Sequence, residues 1–415
     1  MIEHRRLRIA FAGEVDHGKS TLIGRLMIAT NSLSKDKLKE AKKIAKELDQ
    51  EACLAFLVDQ LQEERENLQT IDTTQIFLRT KSRNYALIDN PGHIEFIKNM
   101  MTGASGADAA VLVADVSRGV EAQTRRHAYV TKIFGLETLI VAVNKMDLVN
   151  YEAGRFQAIE KQLTELFHDL QIGSFCIIPV SAREDANISR NSSRTKWYKG
   201  PALIEAMDAI RLKRGLAHCP LRFPVQDVYR INNESVAVGK IAEGLVKKGQ
   251  EVLVLPSGRR TRVGSIKVFG QRRTKAGSGE SIGLTLAHGL DLKRGDIIAS
   301  RGSHPCPMKN FTADVFWLTG RPLQAGASVT ICCTTQKVRC VIEKIKKRID
   351  TATLRTIEED ATELNQNELG NLKIRPIEPL IAETFHASEE LGRFVVEERD
   401  QLLGAGIITD IGNAA

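Results

Sequence analysis

Residues 13–20 read Gly-Glu-Val-Asp-His-Gly-Lys-Ser, which fits the spacing G-x-x-x-x-G-K-[ST]. Small residues at Gly13 and Gly18 let the intervening Glu14, Val15, Asp16 and His17 wrap tightly, so that successive backbone N–H groups converge on phosphate oxygens. Lys19 is then placed to reach the β- and γ-phosphates, and the Ser20 hydroxyl to ligate Mg²⁺, with Thr21 following at the start of a helix. The apolar run Ile9–Ala12 in front and the helical pattern Thr21–Met27 behind supply the strand–loop–helix setting that this chemistry needs.

Three further short segments complete a nucleotide site. Asn144-Lys145-Met146-Asp147 emerges from the apolar run Leu139–Asn144, at the carboxyl end where open α/β sheets bind ligands. The Asp147 carboxylate can accept from both the ring N–H and the exocyclic amine of guanine, a pair of donors that adenine does not offer. Asn144 and Lys145 are expected to fix that loop and cover the ring. Ser181-Ala182, after the run Cys176–Val180, is expected to aim a backbone N–H at the guanine carbonyl. Asp89-Asn90-Pro91-Gly92-His93 follows Tyr85–Ile88, so Asp89 is positioned to hold Mg²⁺ through water and Gly92 to offer its N–H to the γ-phosphate. His93 would stand beside the attacking water and orient it. Thr70 is the candidate second hydroxyl on Mg²⁺, on a loop ordered by the γ-phosphate. The expected ligands are GTP and Mg²⁺, and the expected catalytic residues are Lys19, Thr70 and His93.

These loops need a frame that presents them together. Buried runs at Ile9–Ala12, Tyr85–Ile88, Ala109–Asp115, Leu139–Asn144 and Cys176–Val180 alternate with helix-length patterns such as Arg125–Phe134 and Gly154–Leu170. That alternation is the pattern of a mostly parallel sheet with helices on both faces. The Lys-dense stretch from Lys35 to Gln62 has helical periodicity and reads as a solvated insertion. From Leu221 the character changes to short strands punctuated by glycine, and a second break at Gly302-Ser303-His304-Pro305-Cys306-Pro307 opens another strand-rich stretch. The expected architecture is an α/β P-loop domain over 1–216 followed by two antiparallel β-barrels, 217–303 and 304–415.

The 415 residues carry a net charge of +8, and residues 218–303 alone hold 15 Lys and Arg against 7 Asp and Glu. The excess therefore sits in the middle domain, where it suits nucleic acid or an acidic partner. The 7 cysteines show no C-x-x-C pair and no zinc spacing, which points to reduced thiols in a cytoplasm. No hydrophobic stretch is long enough for a signal peptide or membrane span.

The Val-Asp-His-Gly-Lys-Ser loop, the Asp-x-Pro-Gly-His motif, Asn-Lys-Met-Asp and two following barrels resemble the translation-factor GTPases, elongation factor Tu and elongation factor 1-alpha. Within that class the chain is similar to the large GTPase subunit of bacterial ATP sulfurylase. The segments that carry this likeness are Phe56-Leu57-Val58-Asp59-Gln60-Leu61, Met101-Thr102-Gly103-Ala104-Ser105, Gln123-Thr124-Arg125-Arg126-His127, Arg222-Phe223-Pro224-Val225-Gln226 and Leu255-Pro256-Ser257-Gly258. Elongation factors typically carry Glu at the position of Arg126.

The resemblance implies a GTPase whose hydrolysis drives formation of adenylyl sulfate and pyrophosphate from ATP and sulfate on a smaller PP-loop-type adenylyltransferase subunit. It also leaves open a specialised paralogue serving another adenylylation, and a translation-factor-like carrier of aminoacyl-tRNA. Only Phe223, Tyr229 and Phe269 are aromatic in the basic domain, a thin supply for base stacking that argues against tRNA. One departure stands out. The family's Glu-Arg-Glu-Gln-Gly-Ile-Thr-Ile-Asp is here Glu64-Arg65-Glu66-Asn67-Leu68-Gln69-Thr70-Ile71-Asp72, so Leu68 replaces a glycine and gives up its backbone freedom while Thr70 is kept.

Overall fold

The structure is a computed structural model and describes residues 6–14, 16–33, 54, 74–89, 107–133, 135–136, 138–170, 172–210, 219–231, 234–268, 271–287, 291–353 and 355–412. The chain divides into two compact units, Met1–Leu212 with Thr351–Thr353, and Lys213–Asp350 with Leu354–Ala415.

The first unit is built on a six-stranded sheet of β1 (Leu7–Gly13), β2 (Thr74–Arg79), β3 (Asn84–Asp89), β4 (Ala109–Asp115), β5 (Thr138–Asn144) and β6 (Ser174–Pro179), in the order β2-β3-β1-β4-β5-β6. Every pair is parallel except β2 with β3. The sequence Ala-Ala-Val-Leu-Val-Ala-Asp makes β4 buried at every position, as a strand covered on both faces requires. Each Val or Leu buried there contributes about 1.5–3 kcal/mol relative to exposure.

Four helices flank the sheet among the described residues: α1 (Lys19–Ala29), α2 (Ala122–Ile133), α3 (Ala153–Asp169) and α4 (Leu203–Ala209). In α3 the buried residues Phe156, Ile159, Leu163, Leu166 and Phe167 recur at three- and four-residue steps, giving one apolar stripe toward the core. The sequence reading has no strand at β2. As an antiparallel edge strand it alternates, with Ile76 and Leu78 buried and Phe77 facing out beneath the Arg6 guanidinium, 4.8 Å from the ring centre. The expected insertion at 35–62 lies outside the described residues apart from the buried Leu54.

The second unit contains two antiparallel bodies. The first is an eight-stranded sheet spanning Arg222–Ser300, around a core that includes Leu221, Phe223, Val252, Ile266 and Leu284. In the second, Ser328–Cys333, Arg393–Glu398, Gln401–Ile411, Phe311–Trp317, Glu368–Pro376 and Gln336–Asp350 pair in turn. The last returns to the first and closes a barrel around Phe311, Trp317, Ile331 and Ile374.

The two bodies are pinned to each other. Arg222 is 4% exposed and forks onto Glu383 with two bonds of 2.8 Å, while its remaining guanidinium nitrogen donates to the Ser303 carbonyl at 2.9 Å. Ser388 Oγ donates to the buried Glu243 carboxylate at 2.6 Å, and Ile381 packs into a cluster with Leu253, Leu255, Ile297 and Ala299. A buried fork of this kind becomes costly once one partner is removed, because the other charge is left without compensation.

Candidate functional site

The carboxyl ends of β1, β3, β4 and β5 lie side by side, with Phe11 opposite Asp89, Gly13 opposite Val113 and Asp115 opposite Asn144. The sequence positions of the loops are scattered, and this register alone brings them to one edge of the sheet.

The phosphate loop turns into α1 at Gly18, whose φ of +82° is the left-handed conformation that glycine adopts cheaply. A methyl group there would come to 2.4 Å from the Asn144 amide nitrogen, so both backbone and space demand glycine. Asp16 also has a positive φ, 68°. The first turn of α1 contains no acidic residue and has no side-chain cap, which leaves its N–H groups and the positive end of the helix dipole for an anion. Lys19 hydrogen-bonds the buried Asp89 carboxylate at the end of β3. Thr21 is buried and Ser20 half-buried in the same turn.

This donor set fits a magnesium nucleotide. Ser20 offers a hydroxyl and Asp89 a carboxylate, the hard oxygen ligands that Mg²⁺ prefers. Bound there, Mg²⁺ would neutralise charge on the β- and γ-phosphate oxygens.

Asn144 joins two loops. Its amide nitrogen donates to the His17 carbonyl at 3.0 Å, and its oxygen accepts from the Ala182 N–H, also at 3.0 Å. Ser181 Oγ donates to Asp147 Oδ1 at 2.6 Å and accepts from the Glu184 N–H at 3.2 Å, which orients the Asp147 carboxylate. The sequence reading aims a Ser181 or Ala182 N–H at a guanine carbonyl. In the structure both donate within the protein, Ala182 to Asn144 and Ser181 to the Ala186 carbonyl at 3.2 Å. Lys145 has φ of 65°, and its ammonium lies 3.0 Å from Asp115 Oδ2. Burial pushes the Asp115 carboxyl up, but Ser117 and Lys145 outweigh it and hold the group below its ordinary value.

The structure therefore gathers Gly13, Glu14, Asp16, His17, Gly18, Lys19, Ser20, Thr21, Asp89, Asn144, Lys145, Asp147, Ser181 and Ala182 at the carboxyl edge of one sheet and the loops that leave it. Val15, Thr70, Gly92 and His93, and with them Leu68 and Gln69, lie outside the described residues. Two supporting residues were missed from sequence. Asp115 is the partner of Lys145, and its signal is a carboxylate ending an otherwise wholly apolar strand. Arg25, nearly two turns into α1, donates from Nε to the Ala182 carbonyl at 2.8 Å and so holds the far loop. An arginine on an amphipathic helix gives no such hint.

The fold and site are those of a P-loop GTPase. The chain matches the model of the elongation factor Tu GTP binding domain over residues 4–214, elongation factor Tu domain 2 over 235–299 and the GTP-eEF1A C-terminal domain-like model over 310–409. It belongs to the translation-factor GTPase family of elongation factor Tu and elongation factor 1-alpha. It is 36% identical to elongation factor 1-alpha of Saccharolobus solfataricus over 99% of this chain and 98% of that protein. It is also 36% identical to sulfate adenylyltransferase subunit 1 of Tolumonas auensis, over 97% of this chain and 86% of that protein. Among solved structures, Sup35 complexed with GDP aligns with a TM-score of 0.46 and 23% identity, over 100% of this chain and 96% of that one.

Proposed function

We propose that the chain is the GTP-hydrolysing subunit of a sulfate adenylyltransferase complex, with a smaller ATP-using subunit of the PP-loop type forming adenylyl sulfate and pyrophosphate. The observation that carries the GTP half of the reading is the Asn144 bridge between the phosphate loop and the Ser181-Ala182 loop, with Asp147 oriented beside it. The adenylyltransferase half is supported by the similarity to sulfate adenylyltransferase subunit 1 along nearly the whole chain and by Arg126 in place of an acidic residue. In this reading Lys19 steadies the phosphates, Ser20, Thr70 and Asp89 hold Mg²⁺, Asp147 reads guanine, and His93 orients the attacking water. The domain limits 1–216, 217–303 and 304–415 follow the same family pattern.

A second reading, a carrier of aminoacyl-tRNA, is supported by the equal identity to elongation factor 1-alpha and by the positive charge of residues 218–303. Purification of the tagged chain from its own cells separates the two. Recovery of an ATP-using adenylyltransferase whose pyrophosphate release with sulfate is accelerated by GTP supports the first. Recovery of aminoacyl-tRNA, with affinity falling steeply as salt rises, supports the second. Acceleration with another acceptor and not with sulfate would identify a specialised paralogue.

A further inference from the structure

On the side of the phosphate loop facing β4, three side chains meet whose ligand atoms lie within 4.8 Å of one another: Glu14, His17 and Glu121. None of them has a role in reading the base or holding magnesium. Glu14 and His17 belong to the phosphate loop, and Glu121 is the residue immediately before α2.

Both ring nitrogens of His17 have an acceptor within hydrogen-bond reach. Its side chain is fully buried. Nδ1 stands 3.2 Å from the carbonyl oxygen of Val113 on β4, an atom that only accepts, so Nδ1 carries the hydrogen. In the neutral ring that leaves Nε2 as a lone pair, and this lone pair faces Glu121 Oε2 at 2.9 Å and Glu14 Oε2 at 3.8 Å. Three acceptors thus converge. Among the described residues the buried atom Glu14 Oε2 has no hydrogen-bond partner. A metal ion or a proton among these acceptors would compensate their charge, alongside the Arg118 guanidinium.

The geometry points to a divalent transition-metal site, of the zinc or manganese class, formed by His17 Nε2 and the carboxylates of Glu14 and Glu121. One imidazole and two carboxylates are a common ligand set for such ions and leave coordination positions open. The Nδ1–H bond to a main-chain carbonyl is the usual outer support of a ligating histidine, fixing its tautomer and ring orientation. A metal here ties the phosphate loop to the β4–α2 connection, so metal and nucleotide affinities are coupled and each changes the other by the same factor. The site differs from the magnesium site at Ser20 and Asp89 in ligand softness, since it alone supplies nitrogen.

Cobalt(II) tests this on the full chain, stripped with chelator and then held in excess Mg²⁺ and GDP so that the magnesium site is filled. The expected result is one equivalent of Co²⁺ with visible d–d bands, displaced by Zn²⁺. Glu121→Gln keeps a hydrogen-bond donor for Nε2 while removing a charged ligand. In the absence of cobalt it should bind GDP and melt like the parent, yet lose Co²⁺ affinity by at least about tenfold. If the parent shows no saturable Co²⁺ binding, a proton fills the cluster and the proposal falls. If Glu121→Gln binds Co²⁺ as the parent does, the metal sits elsewhere, for instance on cysteine thiols, and the proposal falls equally. Should Glu121→Gln fail to fold, Glu121→Ala, at a side chain 35% exposed, takes its place with the same cobalt readout.

Discussion

Replacing Asn144 with Ala isolates the bridge across the nucleotide site. The substitution removes the bond donated to the His17 carbonyl and the bond accepted from the Ala182 N–H, both 3.0 Å long. Asn144 is 2% exposed and Ala182 2% exposed, so water does not readily replace the lost partner. A buried polar group left unsatisfied costs about 1–3 kcal/mol, which for two groups gives about 2–6 kcal/mol. Part of this cost falls on the folded protein and lowers its melting temperature. The rest falls on the nucleotide complex, because the phosphate loop and the Ser181-Ala182 loop no longer hold one spacing. A share of about 2 kcal/mol in binding corresponds to roughly 30-fold in Kd. Fluorescence titration with a labelled GDP, beside a thermal melt with and without nucleotide, reads both shares. Asn144→Asp serves as the harder case, since it keeps an acceptor for Ala182 but turns a second oxygen on the His17 carbonyl. GDP affinity within about threefold of the parent in both variants, with unchanged melting, would refute the bridge as a determinant of binding.

Three further outcomes are expected. His93→Ala should slow GTP hydrolysis by at least about 100-fold while leaving GTP affinity nearly intact, and single-turnover hydrolysis at the parental rate would remove His93 from the chemistry. Asp147→Asn should shift preference from guanine to xanthine nucleotides, whose carbonyl replaces the exocyclic amine. Competition binding in which GTP still outcompetes xanthosine triphosphate as in the parent would show that the base is read elsewhere. Glu243→Gln concerns stability and its pH dependence. Burial first, and then repulsion from Glu383 and Glu390, raises the Glu243 carboxyl against the opposing Ser388 bond and Arg222. A carboxyl raised by the fold stabilises the folded state while protonated and loses that contribution as pH climbs through its folded value. The Gln variant, which still accepts from Ser388, should therefore melt above the parent by about 2–4 °C at pH 8 and converge with it near pH 4. A gap that stays constant with pH would mean that the charge is irrelevant.

Legibility in the sequence followed how local each feature is. The phosphate loop occupies eight consecutive residues between a strand and a helix, so its chemistry can be read without a fold. Strands β3, β4 and β5 announce themselves because burial on both faces makes them unbroken apolar runs. Edge strand β2 does not, because one of its faces is open and its pattern alternates over only six residues. Domain character was equally visible, since glycine-punctuated short strands follow helix-length amphipathic segments.

The sequence by itself determined the nucleotide chemistry, the class of fold and the order of its parts, because each rests on contiguous residues and on periodicities that neighbours in the chain impose. What only tertiary structure decided is which side chains share a loop. Lys145 meets Asp115 across two strands, Arg25 reaches a carbonyl 157 positions away, and His17 turns its ring toward a glutamate 104 positions on. Such pairings follow from parallel register at the sheet's carboxyl edge, a property of how strands are ordered in space. The amino acids flanking each residue carry no record of it.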